Sequence, residues 1–411
     1  MKWSEFRRAG HVPTLFSAFL YFDVCFAIWV LNGAMAPFIS EQFGLTPAQK
    51  GFMVSVPIIS GALLRFPLGI LAQYIGRKAA AMVEMSTICI ALVYGWRFVH
   101  SYQDTLVMGL LLGIAGASFG VALSLGSGWF PPKYKGLAMG IAGAGNSGTV
   151  LATLFAPPLA KQFGWNAVYG IALLPMFVAM AVLVIFAKEP PDREEKKLRD
   201  YAKVLVDKDA WIFNLMYVVT FGGFIGLTNF LPTFFHDQFG VSKVQAGQFT
   251  TAVVLMGSAA RVVGGLLADR VGGLRVMSVV FVMVLAGLGL AATGQPIWAT
   301  TAILIFVFAA LGAGNGAVFQ LVPQRFPYAT AVASSLIGEV GALGGALVPN
   351  AMGFSQQATG TFAAGFGAFA LIVVAAWLTM RAVQGAWTST WLEKGGRART
   401  RILDEAEGAA A

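Results

Sequence analysis

The sequence predicts an all-α membrane protein, with twelve transmembrane helices arranged as two six-helix bundles. Three observations support this fold class. The 411 residues are 57% hydrophobic and only 11% charged, whereas soluble proteins carry about 25% charged residues. Twelve apolar segments have the length of about 20 residues that a span requires. The second six segments also repeat the first six at a constant offset along the chain.

The predicted spans are separated by short loops, except at one place. In chain order they cover residues 15–39, 48–73, 79–99, 104–129, 135–160, 166–187, 210–235, 244–269, 275–294, 297–322, 327–354 and 360–383. The exception is the charged run 188–209, which begins KEPPDREEKK and is typical of a linker. The predicted domains are an N-terminal bundle at 1–187, a cytoplasmic linker at 188–209, a C-terminal bundle at 210–384 and a cytoplasmic tail at 385–411.

Basic residues predict the orientation of the spans. With the N-terminus inside, the inner loops, the linker and the tail hold most lysines and arginines, and the outer loops hold few. Because cytoplasmic loops carry an excess of these residues, we expect both termini in the cytoplasm and the chain in the inner (plasma) membrane. The net charge of +9 then reflects topology, and nucleic acid is not an expected partner.

The repeat has an offset of 196 positions, which aligns Arg65 in GALLRFPLG with Arg261 in GSAARVVGG. The same offset aligns further residues: Phe43, Gly44, Thr46 and Gln49 with Phe239, Gly240, Ser242 and Gln245, and Tyr21 with Tyr217. Six spans make an even number of crossings, so the halves share one orientation and are parallel repeats. Transporters of this kind bind their substrate near the membrane midplane, between the repeats.

Arg65 and Arg261 are the main candidates for a binding site. A cation in mid-span costs roughly 2.5–3.5 kcal/mol on insertion scales, which makes a functional role the default hypothesis. Each guanidinium is a planar fork of donors that stays charged, so two of them are suited to a small planar oxyanion. The alternative is neutralisation by buried carboxylates. The candidates for that role are Asp23, Glu84 and Glu339.

Glycine stripes in the fifth and eleventh spans are the second signal. The fifth contains GIAGAGNSG and the eleventh contains GEVGALGG. Small residues at this spacing let helices approach closely, and tight packing is the simpler interpretation. Asn146 lies within the first stripe, and because a buried amide needs partners, it is a candidate donor to the substrate.

The loops that follow the second and eighth spans resemble the G-x-x-x-D-R-x-G-R-K pattern of the major facilitator superfamily. The matching residues, which are candidates for a gating loop, are Gly69, Gly76 and Arg77 in the first half and Asp269 and Arg270 in the second. Gln73 stands where the pattern has aspartate. The first loop therefore lacks the acid of a charge-based gating contact.

The glycine stripes, one with Gly-Asn-x-Gly, and the arginines of the second and eighth spans resemble the signature of the nitrate/nitrite porter family. The resemblance covers essentially the whole chain. It implies transport of nitrate or nitrite by alternating access, with the flat anion sandwiched by Phe119, Tyr217 and Phe221. Any one of these aromatic residues taken alone is more often plain packing.

The sequence is compatible with two mechanisms of energy coupling. Exchange for nitrite is electroneutral, and co-transport of two or more protons would drive uptake against a negative interior. Glu339 is a carboxyl within a glycine stripe, and with Asp23 it is a candidate proton site. A structural ion pair with Arg261, or a hydrogen bond to backbone, is the simpler role for Glu339.

Other classes of protein lack support in the sequence. The three histidines have no metal-ligand spacing, no phosphate-binding loop is present, and no nucleophile is paired with a base. We therefore expect no enzyme activity, no cofactor and no metal, and a monomer in the lipid bilayer. Two rival functions are transport of another small anion on the same fold and a nitrate-sensing membrane receptor.

Overall fold

The computed structural model describes residues 3–191, 203–327 and 329–397. Within these ranges, twelve helices are long and apolar enough to cross a membrane, which confirms the predicted all-α fold class. They are α1 Val12–Phe43, α2 Pro47–Ile75, α3 Arg77–Arg97, α4 Tyr102–Ser127, α5 Leu137–Phe163, α6 Trp165–Phe186, α7 Lys208–Phe239, α8 Lys243–Val271, α9 Gly273–Ala291, α10 Ile297–Arg325, α11 Val332–Thr359 and α12 Ala363–Thr390. The middle of the predicted linker and the end of the predicted tail lie outside the described residues.

The chain forms two compact units. Among the described residues, the first contains 3–191 and Thr228–Thr251, and the second contains 203–227, 252–327 and 329–397. The segment Thr228–Thr251, from the end of α7 to the first part of α8, therefore clusters with the first six helices.

The sequence repeat produces the same turn at equivalent places. Gly44 precedes α2 with φ of 61°, and Gly240 precedes α8 with φ of 64°. The backbone N–H of Thr46 donates to Gln49 Oε1 at 2.9 Å, and that of Ser242 donates to Gln245 Oε1 at 3.1 Å. The reciprocal bonds, from the glutamine N–H groups to the two hydroxyls, are both 3.3 Å. These capping boxes satisfy N–H groups that a helix start leaves unpaired.

Glycine allows α1 and α5 to touch through their backbones. A Cβ atom added at Gly148 would lie 1.9 Å from the carbonyl oxygen of Asp23, and one at Gly145 would lie 2.8 Å from the Asp23 nitrogen. In the second unit, a Cβ at Gly312 would lie 2.0 Å from the carbonyl oxygen of Gly257. The contacts support tight packing as the role of the glycine stripe in α5.

The starts of α3 and α9 are both held by segments that follow a six-helix half. The Glu189 carboxylate accepts from the N–H groups of Arg77 at 2.7 Å and Lys78 at 2.8 Å. An anion at a helix N-terminus is stabilised by unpaired N–H groups and the helix dipole. At α9, the N–H of Gly273 donates to the carbonyl of Gly396 at 3.3 Å.

Candidate functional site

Three helices leave α-helical geometry where candidate residues lie. Helix α4 contains a 3-10 segment at Gly113–Ala117, and α5 contains one at Ala144–Ser147. Helix α7 contains a π-helical segment at Val218–Gly222. The second segment includes Asn146 and the third includes Phe221. Such interruptions inside long helices occur frequently at functional sites, because they free backbone groups and re-aim side chains.

Arg65 lies in the interior of the first unit with 6% of its surface exposed. Its Nε donates to the carbonyl oxygen of Gly116, in the 3-10 segment of α4, at 2.8 Å. The guanidinium carbon lies 5.5 Å from the ring centroid of Trp29 and 5.7 Å from that of Phe119. These distances are in the range of cation–π attraction. Helix α2 thus presents a positive charge beside two aromatic rings.

Trp29 is the member of this group that sequence reasoning missed. It is 1% exposed, and its Nε1 donates to the carbonyl of Pro57 in α2 at 2.8 Å. A Cβ added at Gly116 would lie 2.3 Å from the Trp29 ring, so the ring requires glycine at that point of α4. The sequence repeat did not indicate Trp29, because the residue 196 positions later is Ile225 and not an aromatic residue.

Asp23 lies against the 3-10 segment of α5. The Ser147 hydroxyl donates to Asp23 Oδ1 at 2.5 Å, and the Gly148 N–H also donates to this carboxyl. Asn146, next to Ser147, is 2% exposed, and its carbonyl accepts from the Thr149 hydroxyl at 2.8 Å. Asp23 thus joins α1 to α5 through side chain as well as backbone.

Glu84, on α3, is a second buried acid of the first unit. The side chain is fully buried, and its Oε2 accepts from the Tyr21 hydroxyl of α1. Glu84 thus joins α3 to α1 through the Tyr21 hydroxyl.

The second unit holds the remaining aromatic candidates. Tyr217 and Phe221 are stacked, with ring centroids 5.1 Å apart and planes at 9°. Phe319 of α10 packs edge-on to Tyr217 at 5.1 Å. A Cβ added at Gly341 would lie 2.3 Å from the Tyr217 ring, so the glycine stripe of α11 accommodates this tyrosine.

Arg261 and Glu339 are both partly exposed within the second unit. Arg261 lies on α8 where that helix meets α10, since a Cβ at Gly316 would lie 2.3 Å from the Arg261 carbonyl oxygen. Glu339 precedes Gly341 by two positions on α11. Glu339 therefore lies in the same helical turn as Gly341 but on nearly the opposite side of α11.

The gating-loop candidates occupy helix ends. Gly76 and Gly272 have φ of 94° and 99° and come directly before α3 and α9. Asp269 and Arg270 are exposed in the last turn of α8, and Gly69 has open space beside its Cα. Throughout the described ranges, no group of three or more His, Cys, Asp or Glu is placed to hold a metal ion.

Twelve membrane helices built as a repeat, with a buried cation in the interior of one unit, define a secondary transporter. The chain belongs to the major facilitator superfamily, since the model of that family matches residues 17–349. The protein is thus a multi-pass membrane protein and not an enzyme.

Two similar proteins have names that refer to nitrate or nitrite. The chain is 31% identical to the nitrite extrusion protein of Bacillus subtilis, over 86% of this chain and 89% of the relative. It is 29% identical to a probable nitrate/nitrite antiporter of Thermus thermophilus, over 87% and 88%. These names confirm the resemblance found in the sequence.

A solved structure confirms the fold independently. The D-xylose-proton symporter superposes with a TM-score of 0.73 at 16% identity, covering 94% of this chain and 99% of the symporter. At this identity the likeness concerns the architecture alone.

Proposed function

We propose that the protein transports nitrate or nitrite across the cytoplasmic membrane by alternating access. The observation that carries the proposal is the environment of Arg65. A planar cation, nearly removed from solvent, lies within cation–π distance of two aromatic rings, and one of its N–H groups is fixed by a backbone carbonyl. Such a group recognises a small anion that is flat and delocalised, because the remaining donors form a planar fork.

Arg261 is the second proposed binding residue. The sequence repeat pairs it with Arg65 at one offset, and the relatives named for nitrate and nitrite match this chain in sequence over most of their length. Tyr217, Phe221 and Phe119 are proposed to contact the faces of the anion, and Asn146 to donate to one of its oxygens. The burial of these four side chains supports their inclusion.

The proposal extends to energy coupling. An anion that enters a cell with a negative interior opposes about 2.3 kcal/mol per charge for each 100 mV. Exchange of nitrate for nitrite removes this cost, and symport with protons overcomes it. Glu339 and Asp23 are the proposed proton sites for symport. The two hydrogen bonds that Asp23 accepts from α5 support a structural contribution as well.

Transport by purified protein in liposomes tests the substrate. We expect uptake of nitrate or nitrite, and competition by these anions in preference to sulfate, phosphate and small carboxylates. Arg65→Lys and Arg261→Lys keep the charge but lose the fork, so both variants should transport poorly. Normal uptake by both variants would contradict the site, and uptake of a different oxyanion alone would contradict the substrate.

The same vesicles separate the two modes of coupling. Uptake driven by a pH gradient without internal nitrite indicates symport, and uptake that requires internal nitrite indicates exchange. If Glu339 or Asp23 carries the coupled proton, Glu339→Gln or Asp23→Asn should abolish uptake driven by pH while exchange continues. Unchanged pH-driven uptake in both variants would remove these residues from the coupling.

A further inference from the structure

The segment Thr228–Thr251 belongs to the first unit, although the remainder of α7 and of α8 belongs to the second. It consists of the end of α7, the turn at Gly240 and the start of α8. Seven membrane helices precede the turn, so the turn and the N-terminus lie on opposite sides of the membrane. The distribution of basic residues predicts that the turn is outside. The segment is therefore the outer part of α7 and α8.

Reciprocal ion pairs fasten this segment to α1 and α2. Lys50 pairs with Asp237 at 2.6 Å, and Lys243 pairs with Glu41. The two acids are counterparts in the repeat, since they lie 196 positions apart. Each acid ends one helix and pairs with a lysine at the start of a helix from the other half of the sequence. The two pairs therefore connect the halves of the sequence in both directions.

Close contacts continue from the ion pairs into the interior of the first unit. A Cβ atom added at Gly33 would lie 2.5 Å from the carbonyl oxygen of Asn229, its counterpart in the repeat. A Cβ at Gly247 would lie 2.8 Å from the carbonyl oxygen of Thr153 on α5. The Thr251 hydroxyl donates to the Thr153 hydroxyl at 2.9 Å, and the two residues are 9% and 1% exposed. Solvent is thus largely excluded from this pair of hydroxyls.

The polar contacts are of a kind that can be made and broken repeatedly. The four charged side chains are partly exposed, between 12% and 69%. Water solvates the charges of such a pair when they separate, so the pair contributes little net free energy. The two threonine hydroxyls can likewise exchange each other for water, because each is both a donor and an acceptor.

We propose that these contacts form an outer lock that must open once in each transport cycle. We define the outer lock as the ion pairs Lys50–Asp237 and Glu41–Lys243 together with the hydroxyl pair Thr153–Thr251. When it opens, the outer part of α7 and α8 leaves α1, α2 and α5, and the substrate gains a path from outside. The inference rests on the proposed function, since alternating access requires such a path.

A disulfide in place of the hydroxyl pair tests whether the lock has to open. Thr153→Cys and Thr251→Cys are combined in a chain carrying Cys25→Ala and Cys89→Ala, and nitrate uptake is measured in liposomes. We expect oxidation to lower uptake at least tenfold, and a reducing agent to restore it. Each single cysteine variant is the control and should be insensitive to the oxidant. Full uptake by protein whose disulfide is complete would overturn the inference, and thiols that stay unlinked under oxidation would contradict the contact itself.

A labelling experiment tests the ion pairs without any substrate. The thiol of Thr251→Cys should react slowly with an impermeant maleimide in intact cells, because the closed lock covers it. Asp237→Asn should raise the labelling rate about fivefold, the ratio that corresponds to about 1 kcal/mol, since loss of the pair shifts the population toward the open state. Glu41→Gln should raise it less, because that carboxylate is 69% exposed. The charge swap Lys50→Asp with Asp237→Lys should restore slow labelling.

Asp104→Asn is the matched control for these variants. Asp104 is also an acid on the outer side, but its carboxylate accepts from the N–H of His100 and the hydroxyl of Ser101 in its own loop. This variant should label Thr251→Cys at the rate of the parent chain. An equal rate in Asp237→Asn and Asp104→Asn would overturn the role of the ion pairs. Absence of nitrate uptake by the wild-type protein would overturn the proposed function, whereas the labelling rates would still decide whether the lock opens.

Discussion

The guanidinium of Arg65 depends on the ring of Trp29 as well as on the carbonyl of Gly116. The distance from the guanidinium to the ring, 5.5 Å, allows an attraction of about 0.5–2 kcal/mol. We expect Trp29→Leu to weaken nitrate binding by about twofold to thirtyfold, which is that energy as an affinity ratio. Trp29→Phe keeps a ring and should lose less. Nitrate titration by calorimetry measures both.

Trp298 provides the control for this series. It is 74% exposed in the first turn of α10, and Trp298→Leu should bind nitrate as the wild type does. Equal affinity of Trp29→Leu and the wild type would show that the ring does not contribute to the anion site.

Candidate site residues could be recognised in the sequence by their chemical type and by their position in the repeat. Arg65 was recognisable because a cation in an apolar segment is costly, and Arg261 followed from the offset. Trp29 and the hydrogen bond between Tyr21 and Glu84 could not be recognised from the sequence. An aromatic residue or an isolated acid becomes informative only when the rotation of each helix about its axis is known. That rotation depends on packing among several helices, and the apolar composition of the spans leaves it open.

At the scale of elements, α1 and α5 are held at a distance that only glycine permits. A Cβ at Gly148 would lie 1.9 Å from the Asp23 carbonyl oxygen, which is backbone and cannot rotate away. Gly148→Ala should therefore separate the helices and cost several kcal/mol, on the order of the large effects that overpacking produces. The thermal midpoint of the purified protein, followed by size-exclusion chromatography after heating, should fall clearly.

Gly140 provides a matched control in the same helix, because a Cβ there would meet no atom within 4 Å. Gly140→Ala should be neutral or stabilising by up to about 1 kcal/mol, since alanine is the better helix former. Similar midpoints for the two variants would contradict the close contact between α1 and α5.

Two ion pairs join the first two helices to the ends of α7 and α8 within the first unit. Lys50 of α2 pairs with Asp237 of α7 at 2.6 Å, and Lys243 of α8 pairs with Glu41 of α1. The side chain of Asp237 is 12% exposed, but that of Glu41 is 69% exposed. Exposed pairs contribute about 0–1 kcal/mol, whereas breaking a desolvated pair leaves an uncompensated charge.

The difference in burial predicts unequal effects. Asp237→Asn should lower the free energy of unfolding by about 1–3 kcal/mol, below the about 3–5 kcal/mol of fully buried pairs. Glu41→Gln should change it by under about 0.5 kcal/mol. The charge swap Lys50→Asp with Asp237→Lys should recover most of the loss. Thermal midpoints of the three variants and the wild type measure this, and a larger effect of Glu41→Gln would contradict the assignment.

Element boundaries illustrate what apolar length can predict. All twelve helices lie where the spans were expected, because crossing a membrane demands a long apolar run. The 3-10 segments of α4 and α5 and the π segment of α7 were not predicted, since they replace α-helical hydrogen bonds in response to neighbouring helices. The glycines of GIAGA and GAGNSG mark the first two, but glycine alone does not distinguish an interruption from close packing.

At the scale of the whole molecule, the repeat predicted the order and direction of the helices. It also predicted equivalent turns, and the capping boxes of α2 and α8 agree with it. The grouping of Thr228–Thr251 with the first unit could not be obtained in this way. An internal repeat relates each helix to its counterpart, whereas contacts such as that of Lys50 with Asp237 join residues that are not counterparts.

Orientation in the membrane is the remaining prediction at this scale, and it follows from charge. Basic residues concentrate in the loops that share a side with both termini, and such loops remain in the cytoplasm. Single cysteines test this in a chain carrying Cys25→Ala and Cys89→Ala. Thr293, in the exposed turn after α9, should lie outside, and Glu393, after α12, should lie inside.

An impermeant maleimide should therefore label Thr293→Cys in intact cells and Glu393→Cys only after the membrane is permeabilised. Labelling of both after permeabilisation is the control for access to each thiol. The reverse pattern would place the termini outside and contradict the charge argument. With an odd number of crossings between them, the two positions must lie on opposite sides, so labelling of both in intact cells would contradict the twelve-helix topology as well.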